Sequence, residues 1–392
     1  MCDMNGKTEM GVRLSTKSDL GTWSHSTALL SLILTMAACG GSSPSPVPPA
    51  TATATPATDV MNMTLLGRMD LQTLGAGVTS AAGNWGYTTP QGRRFALTGV
   101  SNGLSIVEVT DPTRPRAIAL IPGGISQWRE IRTYGEFIYV TTEANTGLDI
   151  IDMRDPDRPS KVQTWSQTFT SAHSLYIDVD RGLLFANGTR NAARVATGMR
   201  VLDVGTNPSQ PREVGSFTDF YIHDLYARGN EIYAAAINNG FLAILDSTRI
   251  NAIREITRFD TGGRFTHNAW LTTDSRYLFT TDERASRPLE GWDISNPLAP
   301  RKVSEYIARS PGIPHNVLID GTRMVVSHYV DGVHLLDVSN PERPRLMGFY
   351  DTYPTQGEGF NGCWGAYIFP GSNLIVASDI QGGLFVIQYT GS

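Results

Sequence analysis

The chain has 392 residues, of which 41% are hydrophobic and 18% charged, with a formal net charge of −5. That is a globular composition, long enough for one large β domain or two smaller ones. Its 32 basic residues form no run, so a nucleic acid or an anionic membrane surface is not expected as a partner.

In chain order, the first feature is the apolar run ALLSLILTMAA at 28–38. It is too short to span a bilayer and suits the h-region of an export signal. The MAAC that ends at Cys39 resembles a bacterial lipobox, which implies that Cys39 is lipidated and becomes the mature N-terminus. Next comes GGSSPSPVPPATATATP at 40–56, a low-complexity tether. The expected organisation is a signal peptide over 1–38, a disordered tether over 39–60 and one folded domain over 61–392. The only other cysteines are Cys2 and Cys363. After processing at Cys39 no intrachain disulfide is available, so the core must hold the fold.

From residue 85 onward one pattern recurs. It stands as GLSIVEVTDPTRP at 103–115, GLDIIDMRDPDRP at 147–159 and GVHLLDVSNPERP at 332–344. Weaker copies occur at 198–211, 240–250, 288–300 and 383–392. Glycine opens a tight turn, an aliphatic run forms a strand, and Asp/Asn-Pro ends it, because Asx side chains satisfy a turn and proline cannot donate to a ladder. Two further strand-like runs precede each copy and one follows, with no helical period between them. Aligning units on the first strand matches Trp85, Arg129, His173, His223, His267, His315 and Trp364, spaced 44, 44, 50, 44, 48 and 49 residues apart. Repeats of this length with four strands predict an all-β, seven-bladed β-propeller of four-stranded antiparallel blades. The last unit ends without a fourth strand, and MTLLGRMD at 63–70 has the character of the missing one. It is expected to close the ring by pairing with 384–389, which removes two free sheet edges.

The strand motif resembles the LVIVD-repeat proteins, and NWGYTTPQG at 84–92 with ALTG at 96–99 is similar to the start of the choice-of-anchor B family. That resemblance implies an exported propeller fixed to a surface, here through Cys39. It implies no particular chemistry.

Four successive units place histidine at the start of the innermost strand: His173, His223, His267 and His315. In a propeller these positions surround one mouth of the central channel. The loop between second and third strands opens on that face and brings Glu143, Asn187, Asn238, Asp282, Glu283, His328 and Asp379. Converging neutral imidazoles suit a transition metal ion, with His223, His267, His315 and His328 as ligands and Asp282 or Glu283 behind them. Against this, histidines repeated by blade duplication also serve as hydrogen-bonding elements between blades. Glu130 and Asp224 follow the ring position and are the candidate acid and base. The third and fifth units carry long basic loops, 188–198 with Arg190 and Arg194, and 283–289 with Arg284 and Arg287. Such loops suit an anionic ligand.

The reading that follows is an exported, lipid-anchored, non-enzymatic binding module at the outer membrane, cell surface or periplasm. Its His- and Arg-lined face, with Arg129, Glu130, Asp224 and Trp364, would take a protein, glycan or small anion. The alternative is a metal-dependent enzyme with an axial histidine site, by fold-level analogy with copper-dependent propeller oxidases.

Overall fold

In the computed structural model, residues 59–308, 312–355 and 359–391 are described. The signal peptide, Cys39 and the tether as far as residue 58 lie outside them, whereas Val60, expected in the tether, belongs to a strand. Seven antiparallel sheets follow one another along the chain. The third blade is typical: Ser174–Asp178 is innermost, then Leu183–Arg190, Ala196–Asp203 and, at the rim, Arg212–Phe217. The chain is a seven-bladed β-propeller, as the repeat predicts. Third strands such as Phe241–Asp246 and Gly332–Asp337 are buried up to the acid that ends them, because neighbouring blades cover both faces.

The repeated motif is scaffold, and each part has a measurable job. Gly332 and Gly383 adopt φ of 76° and 85°, a left-handed turn that glycine takes without strain. The acid that ends the strand caps the following turn and binds the first residue of the rim strand. Asp337 accepts from the Ser339 amide at 2.8 Å and from Arg345 at 2.6 Å, and Glu108 accepts from Arg116 at 2.6 Å. The Asx residue before proline then builds a second turn: Asn340 accepts from the Glu342 amide at 3.1 Å. Carbonyls of this turn dock on the preceding blade. Pro208 and Pro211 accept from Tyr139 at 2.7 Å and Trp165 at 3.0 Å, and Pro341 accepts from Ser304 at 2.7 Å.

The ring closes as expected. Met63–Met69 pairs antiparallel with Gly383–Tyr389 to complete the seventh blade. Gly67 lets this strand approach the first blade's turn, since a Cβ there would lie 2.5 Å from the Pro112 oxygen. An additional short strand, Val60–Met61, pairs with Arg345–Tyr350 and gives the sixth blade a fifth strand. The N-terminal segment therefore fastens two adjacent blades.

One alignment differs from expectation. Trp85 pairs with Leu97 at the register where Arg132 pairs with Tyr139 and Tyr176 with Phe185. It therefore lies three residues deeper than the histidine position, against Tyr367 at 4.7 Å between ring centroids. The first inner strand, Ala81–Thr88, is longer than the others and carries an irregularity between Ala81 and Asn84. Those extra residues break the simple spacing. In the first blade residues 82 and 83 occupy the mouth instead, with the Gly83 amide donating to the Arg129 carbonyl at 3.1 Å.

Candidate functional site at the channel mouth

The four histidines do converge. Backbone bonds set three of them at matching positions: the amides of His173, His223 and His315 donate to the carbonyls of Asn187, Ala235 and Ser327, each at 2.9 Å. His267 sits at a register shift between Thr266 and Asn268, an irregularity that re-aims a side chain. Ring centroids are 4.0 Å apart for His173 and His223, 4.5 Å for His223 and His267, and 4.3 Å for His267 and His315. The four imidazoles form a continuous arc across four blades. Trp364, whose ring lies 5.2 Å from that of His315, and Trp128 continue the wall.

The arc is not chemically uniform. At one end the Nδ1 of His173 donates to Glu143 at 2.7 Å. Burial opposes protonation there, but the Glu143 carboxylate outweighs it and raises the His173 pKa. At the other end the Nδ1 of His315 donates to the Trp364 carbonyl, and burial still drives its pKa down to about 3. The two central rings are different. Nε2 of His223 and Nδ1 of His267 are buried and have no hydrogen-bond partner among the described residues. Burial, reinforced by the neighbouring imidazoles, holds both rings well below the ordinary histidine pKa, so they are neutral at pH 7.

Glu283 faces this arc. Its Oε1 lies 3.8 Å from Nε2 of His267 and 3.7 Å from Nε2 of His315, and accepts from the Tyr329 hydroxyl at 2.7 Å. Burial raises its pKa to about 7, opposed by the Tyr329 bond. Tyr329 was not a candidate from sequence; its position next to His328 in the second-to-third strand loop is the signal that could have found it.

Below the arc runs a polar layer. Glu130 accepts from the Trp364 indole at 3.1 Å and faces Arg132 at 3.6 Å. Asp224 accepts from Asn268 at 2.7 Å, from the Leu225 amide at 2.8 Å and from Ser174 at 3.2 Å. Burial raises the pKa of both carboxyls, with Arg132 as the leading opposing influence. Beneath them Arg132 stacks on Trp85 at 4.2 Å, and Tyr176, Tyr226 and Trp270 form the next aromatic layer.

Several candidates from the sequence occupy other places. Arg129 is 1% exposed, and its guanidinium donates to the backbone carbonyls of Val100, at 2.7 Å, and Gly124. It braces the blades. Asp282 is 1% exposed and accepts from the Gly263 amide at 2.7 Å, the Phe265 amide at 2.8 Å and Thr261 at 2.7 Å, so it organises a loop. His328 stacks on His334 at 4.7 Å within the sixth blade, and burial lowers its pKa to about 3. Cys363 is buried, and its thiol pKa is raised well above the ordinary value by that burial. At the rim, Arg194 donates to the Glu143 carbonyl at 3.1 Å, Arg190 donates to the Arg194 carbonyl at 3.4 Å, and Arg284 lies over Phe265 at 4.8 Å.

The LVIVD repeat profile matches residues 127–165, 193–219 and 329–352, within the second, third and sixth units. No curated protein matches the chain. Among solved structures, the periplasmic gluconolactonase of Pseudomonas aeruginosa is 14% identical, with a TM-score of 0.51 over 68% of this chain and 85% of that one. A putative 6-phosphogluconolactonase of Bacteroides fragilis is 11% identical, with a TM-score of 0.55 over 76% and 87%. At these identities the likeness is one of fold. The chain is a seven-bladed propeller that carries LVIVD repeats.

Proposed function

We propose that this protein is an exported binding module that takes a small anionic ligand at the mouth of its central channel. One observation carries the reading: the mouth is walled by stacked imidazoles and rimmed on the third blade by Arg190 and Arg194. Glu143 is the carboxylate that feels both arginines, and its charge is already engaged by His173. Two guanidiniums opposed by one carboxylate leave a local excess of positive charge, and Arg is suited to carboxylate and phosphate groups. The acids deeper in the mouth are raised in pKa by burial and oppose an anion less than exposed carboxylates would. In this reading the ligand is bound, with no reaction required of the site.

The fold shared with two lactonases makes gluconate a sensible first probe, with inorganic phosphate beside it. Calorimetric titration of the full chain, stripped of metal by chelation, should show saturable binding of at least one of the two. Arg190→Ala with Arg194→Ala should weaken it by roughly tenfold or more, the loss of one charge-assisted contact. Binding that is absent, or unmoved by the double substitution, refutes the proposal.

Export and anchoring belong to the same proposal. The apolar run at 28–38, the MAAC at 36–39 and the tether behind it support lipidation of Cys39. Metabolic labelling with a fatty acid should mark the wild-type chain and leave Cys39→Ala unlabelled; equal labelling of both would contradict it.

A further inference from the structure

We infer that His223, His267 and Glu283 form a binding site for one first-row transition-metal ion at the floor of this mouth. The inference rests on reading the mouth as the binding site. It adds what the floor holds.

The arc divides into two kinds of histidine. If the four histidines were repeated only to tie blades together, each would spend its ring nitrogens on protein partners. His173 and His315 each commit Nδ1 in this way, to Glu143 and to the Trp364 carbonyl. His223 and His267, the adjacent central pair, each keep a buried nitrogen that has no partner among the described residues, although they are only 8% and 4% exposed. Buried polar atoms are nearly always satisfied, so two such atoms on neighbouring rings point to a ligand between them. Neutral imidazole is the ligand form, and burial keeps both rings in it.

The third donor is the Glu283 carboxylate, which approaches His267 at its Nε2. One ligand atom from each of His223, His267 and Glu283 can be chosen so that all lie within 4.8 Å of one another. Two ligands of a tetrahedral ion, each about 2.0–2.1 Å from it, stand roughly 3.4 Å apart. Binding an ion would draw these atoms together by up to about 1.4 Å. Tyr329 fixes Glu283 through its 2.7 Å bond to Oε1, the oxygen that also faces His267 and His315, and so holds the carboxylate's orientation toward the two rings. Two imidazoles and one carboxylate suit zinc, copper(II) or nickel better than calcium or magnesium. Three protein ligands would leave a coordination position open, which an anionic oxygen from the ligand would fill.

The test uses the full chain, stripped by chelation and titrated separately with Zn²⁺ and Cu²⁺. One ion per chain should bind with a dissociation constant of about 1 μM or tighter. His223→Gln, His267→Gln and Glu283→Gln should each weaken binding by roughly 100-fold, and Tyr329→Phe by roughly 10–100-fold. Cu²⁺ bound to the wild type should show nitrogen hyperfine coupling in electron paramagnetic resonance, diminished in His223→Gln. Melting curves of the metal-free variants establish that each is folded. Absence of one-to-one binding, or binding that survives His223→Gln together with His267→Gln, overturns the inference. A stripped chain that binds gluconate or phosphate but no metal ion leaves the anion reading standing and removes this one. A chain that binds the ion but neither anion does the reverse.

Discussion

Closure of the ring by the N-terminal strand makes a quantitative prediction about stability. Met63 and Met69 are the buried residues of Met63–Met69, at 4% and 9% exposure, and both belong to the core shared by the sixth, seventh and first blades. Truncating a buried methionine to alanine costs about 2–5 kcal/mol, the lost transfer energy plus the cavity left behind. The two positions are six residues apart on one strand, about 20 Å, so their effects should add. Met63→Ala with Met69→Ala should therefore lower stability by about 4–10 kcal/mol. At roughly 2 °C per kcal/mol for a domain of this size, the melting temperature should fall by about 10 °C or more. Thr64→Ala, on the exposed side of the same strand, should change it by less than about 0.5 kcal/mol. Urea titration with calorimetric melting reads all three. A double variant within about 1 kcal/mol of wild type would refute the closure argument.

Three further predictions concern other layers of the fold. Arg93 of the first blade binds Glu108 at 2.8 Å and Asp157 of the second blade at 2.7 Å, and that contact holds the Glu108 pKa down to about 2. A depressed carboxyl contributes stability above its unfolded pKa near 4.5 and loses it as pH falls toward 2. Because Arg116 and Asp157 are about 60% exposed, solvent screening reduces the contribution. Glu108→Gln should then cost about 1–2 kcal/mol at pH 7 and nothing measurable at pH 2, by urea unfolding at the two pH values. In the channel, a Cβ on Gly86 would press into the Tyr367 ring, so Gly86→Ala should cost about 1–3 kcal/mol, with part recovered by adding Tyr367→Leu. Arg129→Ala should cost about 2–4 kcal/mol, because it leaves the buried carbonyls of Val100 and Gly124 without their donor, yet leave the affinity of the folded protein for gluconate or phosphate unchanged.

The fold was legible because its signals are local and repeated. The turn glycines, the strand-ending acids and the Asx-Pro turns each write the same short-range geometry into the sequence, and the missing fourth strand of the last unit identified Met63–Met69 as its replacement. Val60–Met61 was not legible, since two residues at the end of a tether carry no period. The displacement of Trp85 had a related cause: an irregular strand inserts residues, and spacing alone cannot show where. For the site, the histidine arc followed from register. What each group does depends on its partners, and these lie 30 to 49 positions away: Glu143 for His173, Trp364 for His315, Tyr329 for Glu283. Arg129 shows the same limit from the other side. Its place at the mouth was readable, while its guanidinium turned to backbone carbonyls that no side-chain pattern records.

The central claim is that the mouth of the channel, and its two unpartnered imidazoles in particular, is where this protein binds. A crystal of the protein grown with Zn²⁺ and gluconate, measured at the zinc absorption edge, tests it most directly. The account predicts one anomalous peak bounded by His223, His267 and Glu283, with the anion's density on its outer side toward Arg190 and Arg194. An empty mouth, with the peak elsewhere or absent, would contradict it.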